Sequence, residues 1–395
     1  MTGSRPIKVL QIIDTLGMGG AETWLMEILR LWSKTGACQM DFVATSGNPG
    51  IFDDQARQLG AQVHYHRYGR GNLKRFSTKF RQLLQDGNYD AIHDHQDYAS
   101  GWHFLMGGDR LPKIRVTHVH NPSYQIRNNY GITMSRRLTA QIGKRLVARY
   151  ATHIAGTSLQ VIAEYGFDAP AFRRVPKAAL HCGFEATRFR SDSGEAKASV
   201  CRELDWPMDA RIILFAGRID ESAELGHSRN HKNSAFAVSV GIECARADPG
   251  VRMLLAGAPS KAVPVLEERI AATGLGGSIR FLGIRRDIER LMSASDVLLF
   301  PSRGEGLGMA AVEAQAAGLP VIAADTVPHE CVVVPELVHF LRVEDGEKQW
   351  APEVLRLAAG GRRVADANRR VAASAFSLDQ SAAALLDLYS SGSLN

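Results

Sequence analysis

The sequence predicts an α/β protein made of two parallel-sheet domains. Three observations lead there. The chain has 395 residues, enough for two domains of ordinary size. Short, unbroken apolar runs alternate with amphipathic helical segments along it, the pattern of strands buried on both faces and joined by crossover helices. Each half also carries a glycine-rich turn between a strand and a helix: Gly17-Met18-Gly19-Gly20 in the first, and Gly304, Gly306 and Gly308 in the second.

Composition narrows the class. The 45% apolar and 7% aromatic content is that of a soluble protein with a large core. No apolar run approaches the roughly 18 residues of a membrane-spanning helix. The N-terminus passes almost directly into a strand and shows no secretory signal, so a cytoplasmic location is expected. The five cysteines (Cys38, Cys182, Cys201, Cys244 and Cys331) are scattered and form no C-x-x-C, so they read as reduced thiols rather than disulfides or a zinc site. The net charge of +6 is uneven: residues 1–185 hold 23 Lys+Arg against 14 Asp+Glu, whereas residues 186–395 hold 24 against 27. The first half therefore suits an acidic partner, such as anionic lipid, a lipid-linked phosphate or nucleic acid. No nucleic-acid motif supports the last of these.

From the N-terminus, residues 7–13 read as a strand and 14–20 as a loop. The helix from Ala21 has an apolar stripe at Leu25, Ile28, Leu29 and Trp32 and is closed by Gly36. Residues 40–44 and 62–66 are strands on either side of a helix at 52–59. Segment 67–84 mixes Arg67, Arg70, Lys74, Arg75, Lys79 and Arg81 with Leu73, Phe76, Phe80 and Leu83. Helical spacing of the apolar four predicts an amphipathic helix whose basic face is either solvated or laid on an anionic membrane. Residues 90–95 and 115–121 are strands running into loops, and each contains His-x-His: His93 with His95, and His118 with His120. Alternation along a strand puts both imidazoles of a pair on one face. Two such pairs can hold a divalent metal, which keeps a metal-dependent hydrolase as an alternative; further ligands on later strands are lacking, so no metal is expected. Residues 122–134 read as a mobile acceptor loop. Residues 135–150 read as a helix with Leu138, Ile142, Leu146 and Tyr150 as its apolar stripe and Arg136, Arg137, Lys144, Arg145 and Arg149 as its basic content.

After a strand at 153–157, residues 177–190 read as an interdomain linker and 191–207 as a polar helical lead-in. Strands at 211–216, 251–257, 279–283 and 339–343 then alternate with helices, and residues 352–389 are mostly helical. Domain boundaries of 1–185, 186–374 and 375–395 follow.

The second half centres on residues 296–325, DVLLFPSRGEGLGMAAVEAQAAGLPVIAAD. Val297 to Phe300 is a buried strand ended by Pro301. The loop containing Gly304, Gly306 and Gly308 lets backbone approach a ligand closely. Met309 to Ala317 is rich in helix formers, with Gly318 and Pro320 closing it before the strand at 321–324. Such a turn offers free N–H groups and the positive end of a helix to a diphosphate. Glu305 and Glu313 bracket it. Carboxylates there would repel phosphate unless they face hydroxyls, and an ionised carboxylate can accept from two vicinal ones.

This stretch, with Glu305 and Glu313 eight positions apart, resembles the E-x7-E signature of family 4 glycosyltransferases. The resemblance covers nearly the whole chain and is strongest over residues 211–325. It implies the GT-B fold, two Rossmann-like domains facing each other across a cleft, with a C-terminal helix (residues 375–395) crossing back to the first domain. It also implies an enzyme that retains anomeric configuration while moving a hexosyl group from a UDP- or GDP-sugar to a glycan or lipid-linked acceptor, in cell-surface polysaccharide synthesis. By the same resemblance, Gly19 and Gly20 lie near donor phosphate and acceptor, and Gly306, Leu307 and Gly308 hold the donor diphosphate. Glu305 holds sugar hydroxyls and Glu313 the ribose. His118, or alternatively His120, meets the sugar, with Asn121 as a further sugar or acceptor contact. The family grips the leaving diphosphate with an Arg–Lys pair that has five residues between its members. Here thirteen separate Arg218 from Lys232, as if eight were inserted, and Arg229 competes with Lys232. The loop at 284–287 resembles the base-binding loop. Residues 181–189 resemble the family linker, with Glu185 in place of Asp. No cofactor is implied. A GT-B epimerase of a nucleotide sugar remains the alternative within the fold, and peripheral attachment to the inner face of a membrane fits the basic first half.

Overall fold

Both sheets are built from the short apolar runs, and every strand pairing recorded between them is parallel. The computed structural model describes residues 5–69, 71–123, 133–190, 193–360 and 363–393. The chain divides into two compact units: Met1–Phe184 together with Leu378–Asn395, and Glu185–Ser377.

In the first unit, seven strands lie in the order β3-β2-β1-β4-β5-β6-β7. They are β1 Ile7–Ile13, β2 Cys38–Ala44, β3 Val63–Tyr65, β4 Ala91–Asp94, β5 Ile114–Val119, β6 His153–Gly156 and β7 Lys177–Ala179. The order reverses between β1 and β4, the doubly wound pattern whose strand C-termini flank a ligand crevice. Helix Gly20–Thr35 starts at Gly19, stops at left-handed Gly36, and buries Trp24, Leu25, Ile28, Leu29 and Trp32. The C-terminal helix Leu378–Ser391 docks on it: the Trp24 indole donates to Ser381 Oγ at 2.9 Å, and Ser381 donates on to the His181 carbonyl at 2.8 Å.

Three expectations need correcting. Residues 177–179 are not linker but β7, because the backbone of 177–179 completes the exposed edge of β6. In helix Leu73–Gly87, Phe76, Phe80 and Leu83 are buried with Leu84, while Leu73 opens the helix and is exposed. Helix Met134–Tyr150 buries its predicted stripe only in part: Leu138 is exposed, Ile142, Leu146 and Tyr150 are half-buried, and the fully buried residues are Gly143 and Val147. The reason is a close helix crossing. A Cβ on Gly101 would strike the Gly143 carbonyl, and one on Gly143 would come within 2.5 Å of the Tyr98 carbonyl. The buried face thus centres on the glycine crossing, with Ile142, Leu146 and Tyr150 half-buried beside it. Of the expected acceptor loop, residues 124–132 lie outside the described residues, as does Arg70 of the basic segment.

The second unit has six strands in the order β10-β9-β8-β11-β12-β13, the Rossmann order 3-2-1-4-5-6 when counted from its own first strand. They are β8 Arg211–Ala216, β9 Val251–Ala256, β10 Ile279–Gly283, β11 Val297–Phe300, β12 Val321–Ala324 and β13 Val338–Leu341. Burial explains their composition: Leu298, Leu299, Val321 and Ile322 are all 0% exposed, each worth about 2 kcal/mol. The loops after β8 and β11 flank this unit's own reversal point. Among the described residues, no helix is long and apolar enough to cross a membrane.

Candidate functional site

In the second unit, buried Asp220 organises the loop after β8. Its carboxylate accepts from the backbone N–H groups of Lys232 (3.1 Å) and Ser234 (3.0 Å), and Ser234 Oγ donates to it at 3.3 Å. This fixes Lys232 one residue before Asn233, which sits in the left-handed region (φ 58°) and starts helix Ser234–Ala247. The intervening residues form an ordered loop. Asn230 Nδ2 donates to the carbonyls of Ser222 and Glu224, and Arg269 donates to that of Ala223. The β11 loop is tied to it: the Arg303 N–H donates to the His231 carbonyl and its guanidinium to that of Gly226.

These constraints bring Lys232 Nζ to 2.7 and 2.9 Å from the two Glu305 carboxylate oxygens. The side chains are 28% and 10% exposed, so the pair is screened less than a surface one. Of the two candidate cations beyond Arg218, Lys232 is therefore the one beside Glu305. Arg229 is exposed, as is Arg218, whose charge acts on nearby His231 and helps hold its imidazole neutral after the larger effect of burial. Residues 304–308 are buried, Leu307 to 3% exposure. Gly308 takes φ 99°, and a Cβ there would press on Val327 and Phe300, so glycine is required both by conformation and by space. Helix Met309–Ala316 starts directly after it with no side-chain cap, leaving its positive end to a ligand. On that helix, Glu313 is half-buried, and desolvation pushes its carboxyl up to about 7; Glu289 adds repulsion, while Arg188 and Lys232 oppose it. The Arg188 guanidinium itself sits 3.4 Å from Glu289. The loop expected to meet the base is braced by ion pairs from Arg285 and Arg290 to Asp287 and Glu203, leaving Ile284 exposed.

The first unit gathers its candidates at the ends of β1, β4 and β5. Gly19 caps helix Gly20–Thr35, and a Cβ there would collide with the Glu22 carboxylate, whose pKa is raised first by burial and then by Asp14. Register places Gln11 beside His93, and His93 beside Val116. Residues 11, 93, 95, 118 and 120 therefore share one face. Four imidazoles meet there. His93 Nε2 lies 3.0 Å from His118 Nδ1, and His95 Nδ1 lies 2.7 Å from His120 Nε2. Trp24 stands nearly perpendicular to His118, with centroids 5.8 Å apart. Burial holds His93, His95 and His118 well below the usual histidine range and His120 down at about 3; neighbouring imidazoles reinforce this at the first three, so all four are neutral near pH 7. His118 is 0% exposed, whereas His120, one residue beyond β5, is half-buried, and Asn121 after it is exposed.

The predicted residues thus fall into two groups. Lys232, Glu305, Gly306, Leu307, Gly308 and Glu313 gather in the second unit with Arg218 at their edge. Gly19, Gly20, His118, His120 and Asn121 belong to the first. Sequence reasoning missed Asp220, Gln11 and Tyr389. Asp220 had a findable signal, an acid two residues after Arg218 at a strand end; Gln11, 378 residues from Tyr389 and hydrogen-bonded to it, had none. His93, His95 and His118 offer nitrogens within 4.8 Å of one another, a spacing a divalent cation could use. Five of their six nitrogens are already engaged in hydrogen bonds, three of them ring to ring.

Residues 18–175 match the family described as Glycosyltransferase Family 4, and residues 210–359 match Glycosyl transferases group 1. The Bacillus subtilis protein EpsF, named a glycosyltransferase, is 27% identical over 97% of this chain and 96% of its own. A D-inositol 3-phosphate glycosyltransferase of Saccharomonospora viridis is 28% identical over 77% of this chain and 70% of its own. Among solved structures, Anabaena Alr3699/HepE in complex with UDP and glucose superposes with a TM-score of 0.75 at 18% identity, over 98% of this chain and all of that one. WaaG, a glycosyltransferase involved in lipopolysaccharide biosynthesis, does so with 0.71 at 14%, over 97% and 100%. Both superpositions speak for the fold.

Proposed function

Because the chain belongs to the family 4 glycosyltransferases of GT-B fold, we propose that it moves a hexosyl group, with retention, from a UDP- or GDP-sugar to a lipid-linked or glycan acceptor in cell-surface polysaccharide synthesis. One observation carries this reading: Lys232 and Glu305 lie side by side at the uncapped start of helix Met309–Ala316, with Glu313 on the same helix. A diphosphate at the helix start takes Lys232 as its partner, with Arg218 at the rim. That frees Glu305 to accept from sugar hydroxyls, while ionised Glu313 accepts from the ribose. As the bond from the anomeric carbon to the diphosphate breaks, two cations and the helix dipole hold the growing negative charge, so no metal is needed for that task. The acceptor oxygen bonds to the same face of that carbon, and its proton passes to the departing phosphate oxygen. For the sugar contact that the family resemblance implies, His120 has exposed surface and His118 has none. The UDP and glucose held by the Anabaena structure, and the involvement of WaaG in lipopolysaccharide biosynthesis, are in keeping with this donor and setting.

The acceptor reading rests on a basic pocket of about 240 Å³ lined by His66, Arg67, Asn72, Arg75 and Lys79, with no carboxylate in its wall. It suits a phosphate on the acceptor, and the same basic surface suits an anionic membrane. Melting the protein with UDP, GDP, ADP and dTDP in EDTA tests the donor. One nucleotide at a hundredfold excess over its Kd should stabilise by about 2.7 kcal/mol. No shift with any of them, but one with zinc, would replace the transferase reading with a metal-dependent one. Co-sedimentation with anionic vesicles at low salt tests the membrane; a protein left in the supernatant would argue for a soluble acceptor.

A further inference from the structure

The four histidines, Gln11 and Tyr389 are links of one continuous hydrogen-bond chain. From the exposed end it runs His120 Nε2 to His95 Nδ1 (2.7 Å), His95 Nε2 to Gln11 Oε1 (2.8 Å), Gln11 Nε2 to the Tyr389 hydroxyl (3.2 Å), that hydroxyl to His93 Nδ1 (2.5 Å), and His93 Nε2 to His118 Nδ1 (3.0 Å). It stops at His118 Nε2, which is buried and has no partner among the described residues. We propose that Gln11 and Tyr389 are positioning residues that lock His120 into its Nε2–H tautomer, presenting the bare Nδ1 as a fixed hydrogen-bond acceptor for a hydroxyl of the transferred sugar. The sugar's part in this rests on the function proposed above; the tautomer does not.

The polarity follows from one amide. An amide oxygen only accepts and an amide nitrogen only donates. Gln11 Oε1 faces His95 Nε2, so that nitrogen carries the proton. A neutral imidazole has one N–H, so His95 Nδ1 is a lone pair and must accept. Its partner, His120 Nε2, therefore carries a proton, and His120 Nδ1 does not. On the other arm, the Tyr389 oxygen accepts from Gln11 and lies 2.5 Å from His93 Nδ1, and His93 Nε2 meets His118 Nδ1; a hydroxyl both donates and accepts, so the direction of that arm is open and the His120 tautomer does not depend on it. Neutrality of every ring is what makes the logic binding, and their burial supplies it. His120 Nδ1 has no protein partner among the described residues and is not among the buried unpaired atoms. Tyr389 lies on the C-terminal helix, on a buried face where Leu385, Leu388 and Tyr389 are each 0–1% exposed. The far end of the chain thereby sets the chemistry of a histidine at residue 120. His120 takes no proton in this scheme; it orients the sugar.

Ring ¹H–¹⁵N correlation spectra of the full-length, ¹⁵N-labelled protein read the tautomers directly, with His120 assigned from H120N. The expected wild-type result is a protonated Nε2 and a bare Nδ1 on His120. In Y389F and Q11L, the His120 signal should split between both tautomers. Transfer should then lose several-fold in kcat with the donor KM nearly unchanged. A protonated Nδ1 on wild-type His120, or an unchanged tautomer in both variants, overturns the proposal. So does loss of these resonances on adding zinc, which would make the cluster a metal site. If Q11L does not fold, the wild-type spectrum and Y389F still decide. Correct tautomers in a protein that transfers no sugar would keep the relay and reject the function.

Discussion

Acidification should unlock the first unit through its histidines. Lowering the pH from 7.5 to 5.0 protonates histidines in the unfolded chain, where the pKa is about 6.5, while His93, His95, His118 and His120 stay neutral in the fold. Their folded pKa values are depressed, so the unfolded state binds more protons throughout this window. The stability they contribute is whole above about pH 6.5 and drains away as pH falls towards the folded values. At pH 5.0 His120, held down at about 3, costs about 2 kcal/mol, from 1.36 kcal/mol per unit over roughly 1.5 units. His93, His95 and His118 act in the same direction. Asp97 and Glu313 work the other way. Desolvation lifts both to about 7, so they gain stability as pH falls through that value. A variant is needed to isolate the histidine contribution. Urea unfolding of wild type and of the double variant H95Q/H120Q, at both pH values, supplies it. The wild type should lose at least about 2 kcal/mol more than the variant between pH 7.5 and 5.0, the share of His120 alone. Equal losses would refute the claim that these rings are held neutral by burial.

Three further outcomes are expected. Replacing Glu305 by Ala should cut transfer by about 3 kcal/mol, roughly a hundredfold in kcat/KM, since it removes charged hydrogen bonds and leaves Lys232 unpaired; normal turnover would remove Glu305 from the site. Nucleotide affinity, measured by titration calorimetry, should rise between pH 6 and 8 as Glu313 ionises about pH 7, and E313Q should flatten that rise. Gly101→Ala should destabilise the first unit by about 2 kcal/mol in thermal melts, because its Cβ would meet backbone of helix Met134–Tyr150 rather than a side chain that could move.

Much was legible from local pattern. Strands β8, β11 and β12 announce themselves as apolar runs because parallel strands are buried on both faces and tolerate nothing else. The glycine-rich loop before Met309, and the two glutamates beside it, are close in sequence and therefore close in space. What failed was anything set by a partner far along the chain. The stripe of helix Met134–Tyr150 obeyed its own periodicity, yet the buried face was chosen by Gly101 on another helix. Residues 177–179 looked like linker because a strand of three residues carries almost no pattern until an edge is there to receive it. Lys232 could be matched to Glu305, 73 positions away, only once Asp220 had folded the inserted loop back.

By itself, then, the sequence determined the βα alternation, the glycine-rich turn ahead of Met309 and the residue types of the candidate site, because each is fixed by neighbours within a few turns of chain. Only the tertiary structure decided which histidine is exposed, which cation stands beside Glu305, and that a tyrosine six residues from the end of the chain reaches His93 in the first sheet. Those are long-range contacts, made when sheet order and register bring distant side chains to the same few ångströms, and no local periodicity encodes them.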